Sequence, residues 1–166
     1  MVLSRHKITQ IRPSRFLYLL FILLLTSGCA SHKAKVREEQ VGEVISTART
    51  YMGTPYKYGG TTRAGMDCSA LTIHAYKSIN LSLPRSAEDQ SKVGQKIKEG
   101  DLQPGDLVFF ATGKRRRQVT HVGLVVDVRR KNVKFIHAST SLGVIETDLS
   151  QDYYTKRYRG ARRIID

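Results

Sequence analysis

The sequence predicts an α+β fold: a single domain whose N-terminal helices pack on one face of a five- to six-stranded antiparallel sheet. Three observations carry that expectation. Apolar residues recur at helical spacing in the first half of the chain, short β-branched or aromatic runs follow Gly100, and turn residues separate those runs. A chain of 166 residues holds one domain and a modest extension. Its 40% hydrophobic content suits an ordinary core and excludes wholesale disorder.

The first element lies outside that domain. Arg5, Lys7, Arg12 and Arg15 precede the apolar run Phe16–Leu25, and small residues follow it, which is the pattern of a secretory signal. The run is too short to span a bilayer, which takes roughly 20 residues. Thr26-Ser27-Gly28-Cys29 resembles the lipobox of bacterial lipoproteins, whose cysteine is acylated and becomes the new N-terminus. Ala30, where an aspartate would retain such a protein at the inner membrane, resembles an outer-membrane address. Residues 1–28 therefore read as a lipoprotein signal peptide, 29–40 as a lipidated polar tether and 41–166 as the domain. Without its signal the chain keeps 24 basic and 14 acidic residues, a charge of +10.

Helical periodicity begins at Val41, with Val44, Ile45 and Ala48 on the same face and Gly53 closing the segment. Thr54 to Gly65, with Pro55 and Gly59-Gly60, reads as a loop. A second helix is expected from about Asp67 to Ile79, and a short third from the capping-box sequence Ser86-Ala87-Glu88-Asp89 to near Gly94. Strands follow at Leu107–Phe110, His121–Val128, Val133–His137, Gly143–Thr147 and Arg159–Ile165.

Composition removes several functions. Two cysteines make no disulfide framework, five scattered histidines have no zinc-finger spacing, and no glycine-rich nucleotide loop occurs. No cofactor or metal is called for. Cys68 stands out instead. With Cys29 acylated it has no disulfide partner in an oxidising compartment, and it begins a helix, where the backbone dipole favours a thiolate. The bland alternative is a small buried residue.

A nucleophilic cysteine needs a base. His32 sits in the tether, and His74 lies about 600° around the helix from Cys68, facing away. His121 and His137 remain, on strands flanking Arg129-Arg130-Lys131-Asn132. A three- or five-residue turn puts both on one face, whereas a four-residue turn separates them. Sequence leaves that register open. Chemistry casts His121 as acceptor of the thiol proton and His137 as the group that orients it.

These residues resemble the NlpC-type cell-wall peptidases, papain-like cysteine hydrolases of bacteria, and most nearly their small lipoprotein members. The similarity runs from about Val41 to the C-terminus. It rests on Thr54-Pro55-Tyr56-Lys57-Tyr58-Gly59-Gly60, on Asp67-Cys68-Ser69-Ala70-Leu71 with Ala70 for the usual glycine, and on Leu83-Pro84-Arg85-Ser86. Leu102–Phe110, His121-Val122-Gly123 and Phe135-Ile136-His137-Ala138-Ser139 follow in the same order. The resemblance implies Cys68 as nucleophile, His121 as base, His137 as the third polar member, Tyr56 beside an oxyanion hole and Ser69 as a substrate contact.

It also implies a monomeric peptidoglycan endopeptidase, lipid-anchored through Cys29 to the outer membrane and facing the periplasm. Such enzymes cut the γ-D-glutamyl–diaminopimelate or the D-alanyl–diaminopimelate bond through an acyl-enzyme. The +10 charge suits an anionic polymer, and Lys114-Arg115-Arg116-Arg117 is either a polymer contact or a solubilising loop. Export removes nucleic acid as a partner. The rival function is a non-catalytic envelope lipoprotein that binds peptidoglycan.

Overall fold

The structure is a computed structural model that describes residues 15–130 and 132–165, with side chains from His32 onward. It divides into two units, residues 1–36 and 37–166. Helix α1 (Arg15–Arg49) begins well before Val41, where periodicity starts. The segment Ala30–Gln40 is polar, but eight of its eleven residues are Ala, Lys, Arg, Glu or Gln, all strong helix formers, so polarity there does not mean irregular chain. Residues 1–14 of the signal segment lie outside the described residues, as does the Cys29 side chain. Among the described residues, no helix is long and apolar enough to cross a membrane.

In the second unit, Val41, Val44, Ile45 and Ala48 form the buried stripe of α1. A two-residue pair of strands, β1 (Thr61–Thr62) and β2 (Gly65–Met66), precedes helix α2 (Cys68–Lys77). The loop before them is fastened by backbone bonds from Met66 N to Pro55 O, Lys57 N to Met66 O and Asp67 N to Gly60 O, each 3.1 Å. Helix α3 (Ala87–Gln90) is a single turn capped by Ser86, whose hydroxyl accepts from Asp89 N.

The remaining chain builds one six-stranded antiparallel sheet from β3 (Gln95–Ile97), β4 (Leu107–Phe110), β5 (His121–Arg129), β6 (Asn132–Ser139), β7 (Gly143–Asp148) and β8 (Tyr158–Arg163), in the order β3-β8-β4-β5-β6-β7. A short helix, α4 (Asp152–Thr155), joins β7 to β8. Five of the strands match the runs read from sequence. The sixth, β3, has only three residues, two of them exposed, and pairs along β8 at the sheet edge, so it leaves no apolar signature.

Each sheet face buries its own core. Leu107, Phe109, Val122, Leu124, Val126, Ile136, Ala138 and Val144 pack with α1 and with Leu71, Ala75 and Tyr76 of α2. On the other face Val108, Phe110, Val125, Phe135 and Ala161 pack with Leu102, Leu149, Tyr154 and Tyr158. Asp106, fully buried, takes two 2.8 Å bonds from Arg163 and thereby ties the turn before β4 to the end of β8.

The β5–β6 hairpin resolves the parity question. Next to its turn the pairs are Arg129↔Asn132, Val128↔Val133 and Asp127↔Lys134, a register that, if continued, sends His121 and His137 to opposite faces. The register shifts between Val125 and Asp127, so Val126 has no cross-strand partner, and Val125↔Phe135 and Leu124↔Ile136 follow. This bulge inserts one residue on β5 and returns both histidines to the same face. That face is the one carrying Phe110 and Phe135, opposite the helices.

Candidate active site

Cys68 opens α2 and is buried. Asp67 caps the helix in extended geometry (φ −95°, ψ 173°) and accepts from Ala70 N at 2.8 Å. An N-cap of this kind contributes about 1 kcal/mol to helix stability. The same carboxylate accepts from Ser69 Oγ (3.0 Å), Gly59 N (3.1 Å) and both terminal nitrogens of Arg85 (3.0 and 2.7 Å). Burial works to raise the Asp67 carboxyl, but the bonds from Arg85, Ala70 and Ser69 win and hold it below the usual carboxylate range. Arg85 also donates to Ser69 Oγ at 2.8 Å, so the Ser69 hydroxyl is engaged on both sides. Gln90, fully buried, accepts from Thr72 Oγ1 and donates to Ser69 O and Pro84 O, which locks α3 against the first turn of α2.

The thiol does not follow the expectation of a depressed pKa. Burial pushes it up to about 11, and the Asp67 charge adds to this. Backbone N–H groups of Val122, Ser69 and Cys68 itself pull the other way, as a helix N-terminus should, but desolvation is larger. At rest Cys68 is a thiol. Cys68 packs in one buried cluster with Val122, the residue that follows His121 on β5.

His121 and His137 are both buried, and their rings meet edge to face with centroids 4.9 Å apart. His121 Nε2 lies 2.9 Å from His137 Nδ1. His137 Nε2 in turn lies 3.1 Å from Thr147 Oγ1 and 3.2 Å from the Tyr154 hydroxyl. Burial lowers His121 to about 4; burial and then the neighbouring His121 lower His137 to about 3. Both imidazoles are neutral near pH 7. With Nε2 of His121 taken by His137, Nδ1 is the ring nitrogen left for another partner.

Two clefts flank this arrangement. One, of about 540 Å³, is lined by Tyr56, Asp67, Cys68, Ser69, Arg85 and Thr120 among others. The other, of about 470 Å³, is lined by His121, His137, Glu146, Thr147, Tyr153 and Tyr154 among others. Burial, then the Cys68 thiolate where it has formed and the Asp67 carboxylate, raise the Tyr56 phenol, so Tyr56 remains a hydrogen-bond donor at the thiol's edge. His74 points elsewhere: its Nε2 bonds Thr61 O at 2.7 Å and its ring stacks on Tyr51. The loop Lys114–Arg117 is exposed, with Arg116 O receiving Arg159 Nε at 2.7 Å.

The structure thus gathers Tyr56, Asp67, Cys68 and Ser69 on one wall and His121 and His137 on the adjoining strands. It adds Arg85, Gln90, Thr147 and Tyr154, to which sequence gave no role. Arg85 lay inside a quoted motif, Leu83-Pro84-Arg85-Ser86, and that was its only signal. Thr147 and Tyr154 carried none, because strand register and the β7–β8 connection alone bring them to His137.

Comparison with known proteins adds an independent line. The sequence profile of the NlpC/P60 family matches residues 53–163. The chain is 39% identical over 158 residues to the probable endopeptidase NlpC of Escherichia coli K12, covering 90% of this chain and 99% of that protein. It is 38% identical over 116 residues to the murein DD-endopeptidase MepS/murein LD-carboxypeptidase of the same organism, covering 69% of this chain and 58% of that one. The crystal structure of an NlpC/P60 family protein from Bacillus cereus superposes with a TM-score of 0.69 at 32% identity, over 76% of this chain and 40% of that one.

Proposed function

The chain belongs to the NlpC/P60 family, and on that premise we propose that it is a cell-wall hydrolase, a cysteine peptidase acting on amide bonds of peptidoglycan stem peptides or cross-links. The observation that carries this reading is the His121 Nε2–His137 Nδ1 bond on a strand whose next residue, Val122, packs with Cys68, the residue that opens α2. Because thiol and imidazole are both neutral at rest, the reaction begins with general-base catalysis. His121 Nδ1 takes the thiol proton as the sulfur attacks the scissile carbonyl. The oxyanion is met by the Cys68 N–H and the Tyr56 hydroxyl. The amine then leaves with the proton from His121, and water, activated by the same imidazole, releases the acid from the thioester.

Relatives are named for murein DD-endopeptidase and γ-DL-glutamyl hydrolase activities, so both the D-alanyl–diaminopimelate and the γ-D-glutamyl–diaminopimelate bonds are candidates. Purified sacculi incubated with the protein should yield soluble fragments whose masses and new amino groups identify the bond. Sacculi that are bound but left intact by wild-type protein would establish the binding lipoprotein instead. In that assay, salt-sensitive binding is the outcome expected of Lys114–Arg117 as a polymer contact.

We further propose that Cys29 carries the lipid anchor and that the domain works at the outer membrane, facing the periplasm. The support is the basic, apolar and small-residue order ending at Cys29. The Cys29→Ala precursor should lack acyl mass and leave the outer-membrane fraction. Wild-type protein without acyl mass on Cys29 would overturn the anchor.

A further inference from the structure

We propose that Thr147 and Tyr154 are positioning residues that fix the tautomer of His137 and, through it, leave His121 Nδ1 free to accept a proton. The inference rests on the reading of His121 as general base. Two directions of hydrogen bonding are open to the His121–His137 pair. In one, His121 Nε2–H donates to His137 Nδ1, and the Nδ1 lone pair of His121 is available. In the other, His137 Nδ1–H donates to His121 Nε2, the His121 proton sits on Nδ1, and the base is blocked. The 2.9 Å contact is the same in both. Only the proton on the far side of His137 distinguishes them.

That far side is Nε2, and two hydroxyl oxygens converge on it at 3.1 and 3.2 Å. One N–H can be shared between two oxygens, whereas a bare nitrogen lone pair accepts a single donor and leaves the second oxygen facing it unpaired. The pair of oxygens therefore selects Nε2–H on His137, which selects the productive direction at His121. Both hydroxyls are held in place. Thr147 is buried on β7, two residues from Ile145, which pairs with His137, so it shares that face of the sheet. The Tyr154 ring packs edge-on against Phe135 (5.0 Å) and against Phe110 (5.2 Å), and burial keeps its phenol protonated.

The test reads tautomers directly, by two-bond ¹H–¹⁵N correlation of the imidazoles in the folded full domain. Wild type should show Nε2–H on both His121 and His137. The double variant Thr147→Val/Tyr154→Phe should move the proton to Nδ1 on both rings, with the nearly isosteric single Thr147→Val showing a partial shift if the double variant folds poorly. Thr147→Ser should restore the wild-type pattern. On stem-peptide substrates kcat should fall about tenfold or more in the double variant, by analogy with other triads held in the wrong tautomer, with KM little changed. Retention of Nε2–H on His137 when the acceptors are removed would overturn the proposal. Wild-type protein that hydrolyses nothing, with the tautomer shift still seen between it and the double variant, would sink the peptidase reading and leave the hydroxyl pair's role intact.

Discussion

The two walls of the site are built from different materials. On the helix side, Cys68 is held by a charged frame: Asp67 caps the helix, Arg85 clamps Asp67 with two bonds, and Gln90 ties in Ser69. On the sheet side, His121 and His137 stand among Phe110, Phe135 and Tyr154 and are linked by neutral hydrogen bonds alone. The difference follows from what each wall must hold. A helix N-terminus presents unpaired N–H groups and accepts a carboxylate. A general base must instead stay uncharged until the reaction, and an apolar wall disfavours the imidazolium. Charge fixes the nucleophile's position; its scarcity tunes the base.

Removing the reacting atoms breaks the comparison most severely. Cys68→Ala should lower hydrolysis by about 10⁴-fold or more, and His121→Ala nearly as far, in a fragment-release assay with unchanged circular dichroism. Alkylation by iodoacetamide should be slow near pH 7 and accelerate toward pH 11, because the resting group is a thiol.

The next effect tests the sheet wall alone. A histidine whose folded pKa lies below its unfolded value lets the unfolded chain take up protons first as pH falls. Stability is therefore full above about pH 6.5 and is lost downward until His121 titrates near 4 and His137 near 3. The slope contributed is up to about 1.4 kcal/mol per pH unit for each ring. Urea unfolding at pH 5 and pH 7 should show it, and His121→Gln should flatten it. An equal slope in that variant would place the acid sensitivity elsewhere.

The smallest effect belongs to the helix wall. Arg85→Ala removes a half-exposed partner from a nearly buried carboxylate, a loss of about 1 kcal/mol once solvent screening is allowed for. The Asp67 carboxyl should then titrate closer to the ordinary range, visible by carbon NMR. An unshifted Asp67 would mean that Ala70 and Ser69 suffice.

The two walls were also unequally legible in the sequence. Cys68 behind Asp67, the strand runs beginning at Leu107 and His121, and the buried stripe of α1 follow from local period and capping, so reading along the chain finds them. The histidine pairing does not. It depends on Val126 falling out of register, and a bulge has no composition of its own. The sign of the Cys68 shift was missed for a related reason: the dipole argument is local, while desolvation comes from the buried cluster that the tertiary fold assembles around the thiol. Strand β3 and the roles of Thr147 and Tyr154 likewise exist only once the sheet is closed.

The unpaired residue at Val126 has a consequence for how such chains tolerate insertions and deletions. Deleting it would close the bulge: Asp127↔Lys134 and Val125↔Phe135 would become consecutive pairs, and His121 would keep the face it shares with His137, at the cost of one core side chain. Adding one residue between His121 and Val125 would instead turn His121 to the helix side of the sheet unless a second bulge absorbed it. Length changes in this hairpin are thus admissible where a bulge or the turn takes them up and damaging where they shift the period of the strand. Two chains can keep both histidines, differ in the distance between them by an even number, and still present the same site; an odd difference demands that a bulge appear or vanish or that the turn change by one residue.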